Sequence, residues 1–478
     1  MRRKSEITVS NHILASLVKH YFKKLIYFYI DHFTGEYLGP SHNLCNLLRR
    51  DDYDTFPVFC HNFSNYDSHL LISSISKKME RIKILTAIPL NTEKFKTIRI
   101  NNLELKDSMS FLDGSLEKLV ETLKRSNHKF PLMRKIFRDP GQRELLLSKG
   151  IYPYEFCESI EKLRNQVVIP PHSAFYSRLS LKNVSDKDYQ HAKTVWKKFE
   201  CKNMLDYTQI YVISDTVLLA EVMQTFRRKI YQEFRLDPCH FLSLPSLAKD
   251  VMLKTSQVSL ELIHDLSMCY FFKSGIRGGL SYVNQRSTDI DELEKKTGEK
   301  YILAYIDCNS LYGAAMSRKL PVRGYRWLSE EELANFDINK QDFEDEKGYA
   351  FQVTLEYPPE LQLQHSSYPL ACHHLEVEEE ELSPYAKECL EEFQMKYTKT
   401  KKLSATFNER KEYVLHGMNL KLYLQLGLRI KKLHSGVEFE QGDYMRKFVE
   451  NCSEKRRNAV TEMDSMIAKR VSFNYSII

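Results

Sequence analysis

The sequence holds no Cys-x-x-Cys pair and no run of 18 apolar residues. Its ten cysteines are scattered, which excludes a disulfide framework and fits the reduced thiols of an intracellular protein. Without a long apolar run, no spanning helix and no membrane partner are expected. The basic, amphipathic start, residues 1–30, lacks the Ser and Arg richness throughout that marks a transit peptide.

What is present bounds the class. A chain of 478 residues has room for two to four domains. Hydrophobic content of 42% with 28% charged residues describes a globular protein. The 28 tyrosines and 26 phenylalanines suit base stacking and suit ordinary cores equally well. The net charge of +7 is uneven, since residues 391–478 carry 17 Lys+Arg against 11 Asp+Glu. A basic C-terminal part points to a polyanion partner or to a solvated helix face.

The most informative stretch is Tyr301–Trp327. Tyr301–Ile306 is a short apolar run that reads as a buried strand. Asp307 ends it, Cys308-Asn309-Ser310 make a turn, and Leu311–Met316 open a helix on small residues. A carboxylate at a strand-to-helix turn can hold Mg²⁺ beside a phosphate, and it can equally be only a helix cap.

The longer string, Asp307-x-Asn309-Ser310-Leu311-Tyr312-Gly313 followed by Ala315-Met316 and Leu320-Pro321-Val322, resembles palm motif A of family B DNA polymerases. It is most similar to the protein-primed branch found in self-synthesising transposons, linear plasmids and related viruses. The resemblance implies that Asp307 is the catalytic, metal-binding carboxylate, that Leu311 underlies the triphosphate and that Tyr312 blocks a ribose 2′-OH.

Further motifs follow in the family's order. Asp31, His32, His42, Cys45 and Asn46 resemble an endonuclease-VII-like segment of some of these polymerases. Its upstream Cys-x-x-Cys is missing, so a four-ligand zinc site is not completed locally and residues 1–50 read as a degenerate remnant. Phe56–Cys60 reads as a strand and residues 61–68 as a turn entering a helix. Asn62 and Asp67 there resemble the Exo II motif, with Asn62 on DNA and Asp67 on a metal. An Asn/Asp-rich turn with a helix cap has the same composition. Residues 103–123 read as strand, turn and helix, with Ser115 as N-cap and Lys118 paired to Glu121. Ser115-Leu116-x-x-Leu119 resembles the motif that contacts a single-stranded primer end. Tyr189, Ala192, Trp196 and Phe199 have the spacing of a helix packed into a core. In the helical stretch 204–230, Tyr211 and Asp215 share a face at i,i+4. They resemble Exo III, in which the Asp holds an ion and the Tyr orients the attacking water. The Asp-x-Glu of the first exonuclease motif is missing before residue 56.

Ile276-Arg277-Gly278-Gly279 resembles the family's Tyr-x-Gly-Gly/Ala joint, with Ile276 in place of the Tyr. There Arg277, Gly278 and Gly279 would meet template phosphates, and a tight turn would need the same glycines. Strands are expected at residues 349–357 and within 428–440, and helices after Ser383-Pro384 and near 417–426. A single basic helix is expected over about 443–470, with Lys455 and Lys469 on one face. It resembles the palm-to-fingers region, where Arg456 and the motif B lysine, Lys469, grip the triphosphate. A solvated basic face is the alternative.

The expected architecture is α/β: the remnant segment over 1–50, a ribonuclease-H-like 3′–5′ exonuclease domain over 51–265, and a partial palm and fingers over 266–478. The resemblance implies a DNA-directed DNA polymerase of the protein-primed family B type. Mg²⁺ or Mn²⁺ would be held by Asp307, Asp67 and Asp215. Primer-template DNA, dNTPs and a terminal priming protein would be the partners, in a nuclear, viral or mobile-element setting. The Tyr-x-Asp-Thr-Asp of motif C is missing beyond Lys469, as is Exo I, so the chain as it stands is expected to lack synthesis and efficient proofreading. Two other readings are a non-catalytic nucleic-acid-binding remnant and a stand-alone metal-dependent nuclease using Asp67 and Asp215.

Overall fold

The computed structural model describes residues 55–475, apart from Tyr66, residues 76–81, Lys149, Leu179 and Arg286, together with the strands Ile26–Ile30 (β1) and Tyr37–His42 (β2). These two strands pair antiparallel. His32 and Cys45 lie outside the described residues, as does the side chain of His42. The chain divides into two units, residues 1–231 with 237–243, and residues 232–236 with 244–478.

In the first unit, short apolar runs separated by turn residues give four strands: Phe56–Cys60 (β3), Leu85–Pro89 (β4), Phe95–Ile100 (β5) and Leu103–Asp107 (β6). They form one sheet in the order β3-β6-β5-β4. β3 runs parallel to β6, and the other pairs are antiparallel. The register sets Cys60 beside Asp107 at the ends of their strands. Five of its helices concern the site: Asp67–Ile75 (α1), Leu116–Arg125 (α2), Pro131–Ile136 (α3), Asp186–Lys198 (α4) and Met204–Phe234 (α5). Phe111 joins sheet to helix, edge-on to Phe59 at 5.7 Å and to Phe226 of α5 at 6.3 Å. Burying such rings contributes about 2–3 kcal/mol each. Ser115 caps α2 as its sequence suggests, accepting from the Lys118 backbone N–H at 3.3 Å. Glu121 pairs with Arg125, at 3.8 Å and i,i+4, in place of the expected Lys118, the favoured order for an acid preceding a base on a helix.

Glu221 of α5 is 1% exposed and organises a neighbour. Its Oε1 accepts from the Leu132 and Met133 N–H groups at 2.6 and 3.0 Å, and its Oε2 lies 3.0 Å from His128 Nε2. A carboxylate from one helix thereby satisfies the open N-terminal donors of another, α3.

The second unit is built on Leu320–Trp327 (β7), Lys347–Glu356 (β8), Arg410–His416 (β11) and Arg429–Gly442 (β12), in the antiparallel order β11-β8-β12-β7. His373–Glu376 (β9) and Lys401–Ser404 (β10) form a separate pair. β8 is covered on both faces, with Phe351 and Val353 fully buried on one and Ala350 and Thr354 buried on the other. Gly436 of β12 lets it pass close to its neighbours, since a Cβ there would come within 2.8 Å of Leu328 and 3.0 Å of Phe351. The β7 edge is protected: Glu261 N–H donates to Val322 O at 2.9 Å, and Trp327 Nε1 donates to Asp265 at 2.8 Å. Its helices include Leu244–Ser256 (α6), Leu266–Gly275 (α7), Leu311–Met316 (α8), Gly417–Gln425 (α9), Arg446–Arg457 (α10) and Glu462–Tyr475 (α11). Among the described residues no helix is long and apolar enough to cross a membrane.

Two expectations are corrected here. Tyr301–Ile306 is not a buried strand: it has no regular structure, and Ile302, Leu303, Tyr305 and Ile306 are 77–99% exposed. An apolar run becomes a strand only where a neighbour takes its N–H and C=O groups, and no described strand pairs with it. The single basic helix over 443–470 is instead two, α10 and α11, separated by Asn458–Thr461. Thr461 caps the second, its Oγ1 accepting from the Asp464 N–H at 3.2 Å. Lys455 and Lys469 therefore share no helical face. Lys455 is taken up by an ion pair with Glu233 and lies 4.6 Å over the Phe234 ring.

Candidate functional site

In the second unit, the chain leaves the exposed Tyr301–Ile306 run through Asp307 and turns at Ser310, which holds a left-handed φ of 56°. Such a conformation costs a non-glycine residue about 1–3 kcal/mol and persists where the surroundings impose it. The turn starts α8, which lies against α10 because Gly313 has no side chain. A Cβ there would stand 2.6 Å from Ser310 Oγ and 3.3 Å from Val449 of α10. Arg446 at the head of α10 donates to Ser317 O at 3.2 Å, tying down the end of α8. α10 and α11 pack through Phe448, Val449, Met463, Ile467 and Val471, each no more than 6% exposed.

These contacts leave a cleft of about 460 Å³ whose walls include Asp307, Leu311, Tyr312, Arg456 and Lys469. All five candidates from motif A and the basic end thus meet in one place. Leu311 and Tyr312 are 63% and 58% exposed, so they are open to a ligand. Of the charged side chains in the walls, two are cations and one is a carboxylate, a balance that attracts a polyanion. Cys308 is exposed in the same wall, whereas burial pushes the thiol of Cys452, behind it, up to about 12.

Arg277 is placed differently. Its guanidinium donates to Gly275 O at 3.1 Å and to Val414 O, and lies 3.7 Å over the Tyr413 ring. Both of its terminal nitrogens therefore donate within the fold. Gly278 and Gly279 are exposed, and a Cβ on either would meet nothing within 4 Å.

In the first unit, Ser115, Leu116, Tyr211 and Asp215 line a groove of about 250 Å³, with Lys124 as its cation. Tyr211 stacks on Tyr152 at 4.8 Å, and its hydroxyl is hydrogen-bonded to that of Tyr154. Gly150 makes room for that ring, since a Cβ there would lie 2.5 Å from it. Burial, then the bond to Tyr154, pushes the Tyr211 phenol far up, so it stays a neutral donor. Burial also raises the Asp215 carboxyl, with the Tyr211 hydroxyl and His61 drawing it partly back.

Asn62 lies in the turn after β3 and Asp67 at the start of α1. Asn62 is left-handed, φ 65°, and its side chain accepts from Asn65 Nδ2 at 2.7 Å. Asp67 opens α1, its carboxyl raised by burial and, more weakly, by the charge of Asp107. His61 Nδ1 sits 2.9 Å from Ser108 Oγ. Burial lowers the imidazole pKa, while Asp107 and Asp215 oppose the shift. Among the described residues no group of three or more His, Cys, Asp or Glu is arranged to hold a metal ion. Sequence reasoning missed His61, Asp107 and Tyr154. No motif spacing marks Asp107 or Tyr154, whereas His61 lies directly before the Exo II-like Asn62.

A family model described as DNA polymerase type B, organellar and viral, matches residues 49–472. A probable DNA polymerase of Neurospora intermedia is 26% identical over 286 residues, covering 56% of this chain and 25% of that protein. One of Ascobolus immersus is 23% identical over 265 residues, covering 54% and 19%. The chain thus spans about a quarter of the length of the curated relatives it matches. Among solved structures, Phi29 DNA polymerase in an orthorhombic crystal form aligns with a TM-score of 0.46 at 12% identity, over 93% of this chain and 62% of that one. Phi29 DNA polymerase complexed with primer-template DNA and incoming nucleotide substrates aligns with a TM-score of 0.44 at 12% identity, over 91% and 61%. With a family model matching nearly its whole length, the chain belongs to the organellar and viral branch of the type B DNA polymerases.

Proposed function

We propose that this chain supplies the nucleotide- and strand-binding parts of a template-directed DNA polymerase, its second unit binding the incoming dNTP and its first unit holding a single-stranded 3′ end. The observation that carries the reading is the cleft in which Asp307, from the segment before α8, meets Leu311, Tyr312, Arg456 and Lys469 from three helices. Arg456 and Lys469 would neutralise the triphosphate. The exposed first turn of α8 would lie beneath it, and the Tyr312 ring would stand against the sugar. Polymerases of this family generally use divalent metals. One carboxylate together with phosphate oxygens is a donor set that suits a single Mg²⁺ or Mn²⁺, so Asp307 would hold it. Such an ion, when bound, neutralises charge on the phosphates undergoing transfer. A two-carboxylate set is not present among the described lining residues.

In the first unit, Ser115, Leu116 and Lys124 would cradle the strand beside Tyr211 and Asp215. Membership of the organellar and viral type B DNA polymerases favours DNA and dNTPs as partners here. The protein-primed resemblance adds a terminal priming protein and a viral or mobile-element setting.

Binding of a fluorescent dNTP to wild type and Asp307→Asn, in EDTA and in Mg²⁺, tests the cleft. In EDTA the Asp307 charge repels the triphosphate, so the variant should bind about three- to fivefold tighter. In Mg²⁺ it should bind about tenfold weaker. The same response in both conditions would refute the assignment.

A further inference from the structure

Asp107 lies outside every motif read from the sequence, yet it is 5% exposed and fully engaged. Its Oδ1 accepts from the Asn62 N–H at 3.0 Å and from the Met109 N–H at 3.0 Å, and its Oδ2 accepts from the Ser64 N–H at 2.9 Å. Asn62 and Ser64 belong to the turn after β3, whereas Asp107 ends β6. The Cys60–Asp107 register is what brings the carboxylate under the turn. The residues that follow reinforce the link: Ser108 Oγ meets His61 Nδ1 at 2.9 Å, and Ser110 Oγ donates to Asp107 O at 2.6 Å.

We propose that Asp107 is a positioning residue for the first unit's site, clamping the 61–65 turn so that Asn62 and the start of α1 at Asp67 are held at the end of β3. The inference rests on reading this unit as exonuclease-like. A left-handed Asn62 is tolerated but not favoured, and charge-assisted bonds from a buried carboxylate supply what the turn's own sequence does not. With three N–H groups on its two oxygens and almost no exposure, Asp107 acts through the turn.

The test uses the full chain and Asp107→Asn, which preserves volume but turns one acceptor into a donor. Two quantities are measured at 25 °C: amide hydrogen exchange at Asn62, Ser64 and Met109, and the affinity of fluorescein-labelled oligo(dT) at low salt. In wild type the Asn62 and Ser64 amides should be protected although they lie in a turn; fast exchange there overturns the proposal without any variant. In Asp107→Asn these amides should exchange at least about tenfold faster, with the amides of α5 unchanged. Oligo(dT) affinity per folded molecule should fall about three- to tenfold. A role in stability alone would lower the melting midpoint and leave that affinity untouched, which also overturns the proposal. No oligo(dT) binding by wild type would sink the reading of the unit together with the proposal, whereas binding that Asp107→Asn leaves intact sinks the proposal alone.

Discussion

Glu221→Ala should unfold the first unit far more readily than an average substitution. The helix that carries Tyr211 and Asp215 also carries this carboxylate, 1% exposed and bonded to two backbone N–H groups of α3 and to His128. Truncation leaves both N–H groups buried without an acceptor, at about 1–3 kcal/mol each, so about 4 kcal/mol is expected in all. Glu221→Gln keeps the oxygen that serves the two amides but exchanges the charge and the acceptor facing His128 for an NH2 group, for about 1–2 kcal/mol. The assay follows from the tryptophans: Trp196 lies in the first unit and Trp327 in the second. In a Trp327→Phe background, Trp196 fluorescence reports urea unfolding of the first unit alone. With a slope of about 2–3 kcal/mol per molar urea, the Ala variant should lose about 1.5–2 M in midpoint and the Gln variant less than about 1 M. An Ala shift below about 0.5 M would refute the assignment of Glu221 as the anchor of α3.

Other outcomes follow from the same geometry. Asp215→Asn should raise the melting midpoint at pH 7. The folded-state pKa is raised above 3.8 by burial, so ionisation costs stability as pH rises through that range, and the gain should vanish at pH 3; a fall at pH 7 would contradict this. Arg277→Ala should cost about 2–3 kcal/mol of stability, because the guanidinium covers Tyr413 and serves two carbonyls; weaker DNA binding at unchanged stability would instead mark it as a phosphate contact. Lys455→Ala should change dNTP affinity less than about twofold and stability by no more than about 1 kcal/mol, since Glu233 and Phe234 occupy that ammonium.

Much of this was legible because the signals were local. The Phe56–Cys60 run, the Ser115 cap and the i,i+4 Tyr211–Asp215 pair on a periodic helix each needed only a few neighbouring residues. The misreadings came where a distant or subtle partner decides. Tyr301–Ile306 has the composition of a buried strand but no ladder beside it among the described strands. The break between α10 and α11 has no Gly or Pro to announce it, only Thr461 with Asp464 three residues on, a capping signal inside an otherwise helical pattern. Asp107 acts on amides 43 and 45 residues away, which spacing along the chain does not reveal. The bond from Arg277 to Val414 depends on β11, more than a hundred residues away, which the local glycine-rich string does not reveal.

The most direct test of the account is dNTP affinity across Arg456→Ala, Lys469→Ala and the double variant, measured by equilibrium binding in Mg²⁺ at physiological salt. Two cations from separate helices facing one triphosphate should each be worth about 1–2 kcal/mol, or about 5- to 30-fold in Kd. The double variant should lose at least about 30-fold, with Lys455→Ala as the unchanged control. Equal, small effects of all three lysine and arginine substitutions would mean that general basic charge, and not this cleft, draws the nucleotide.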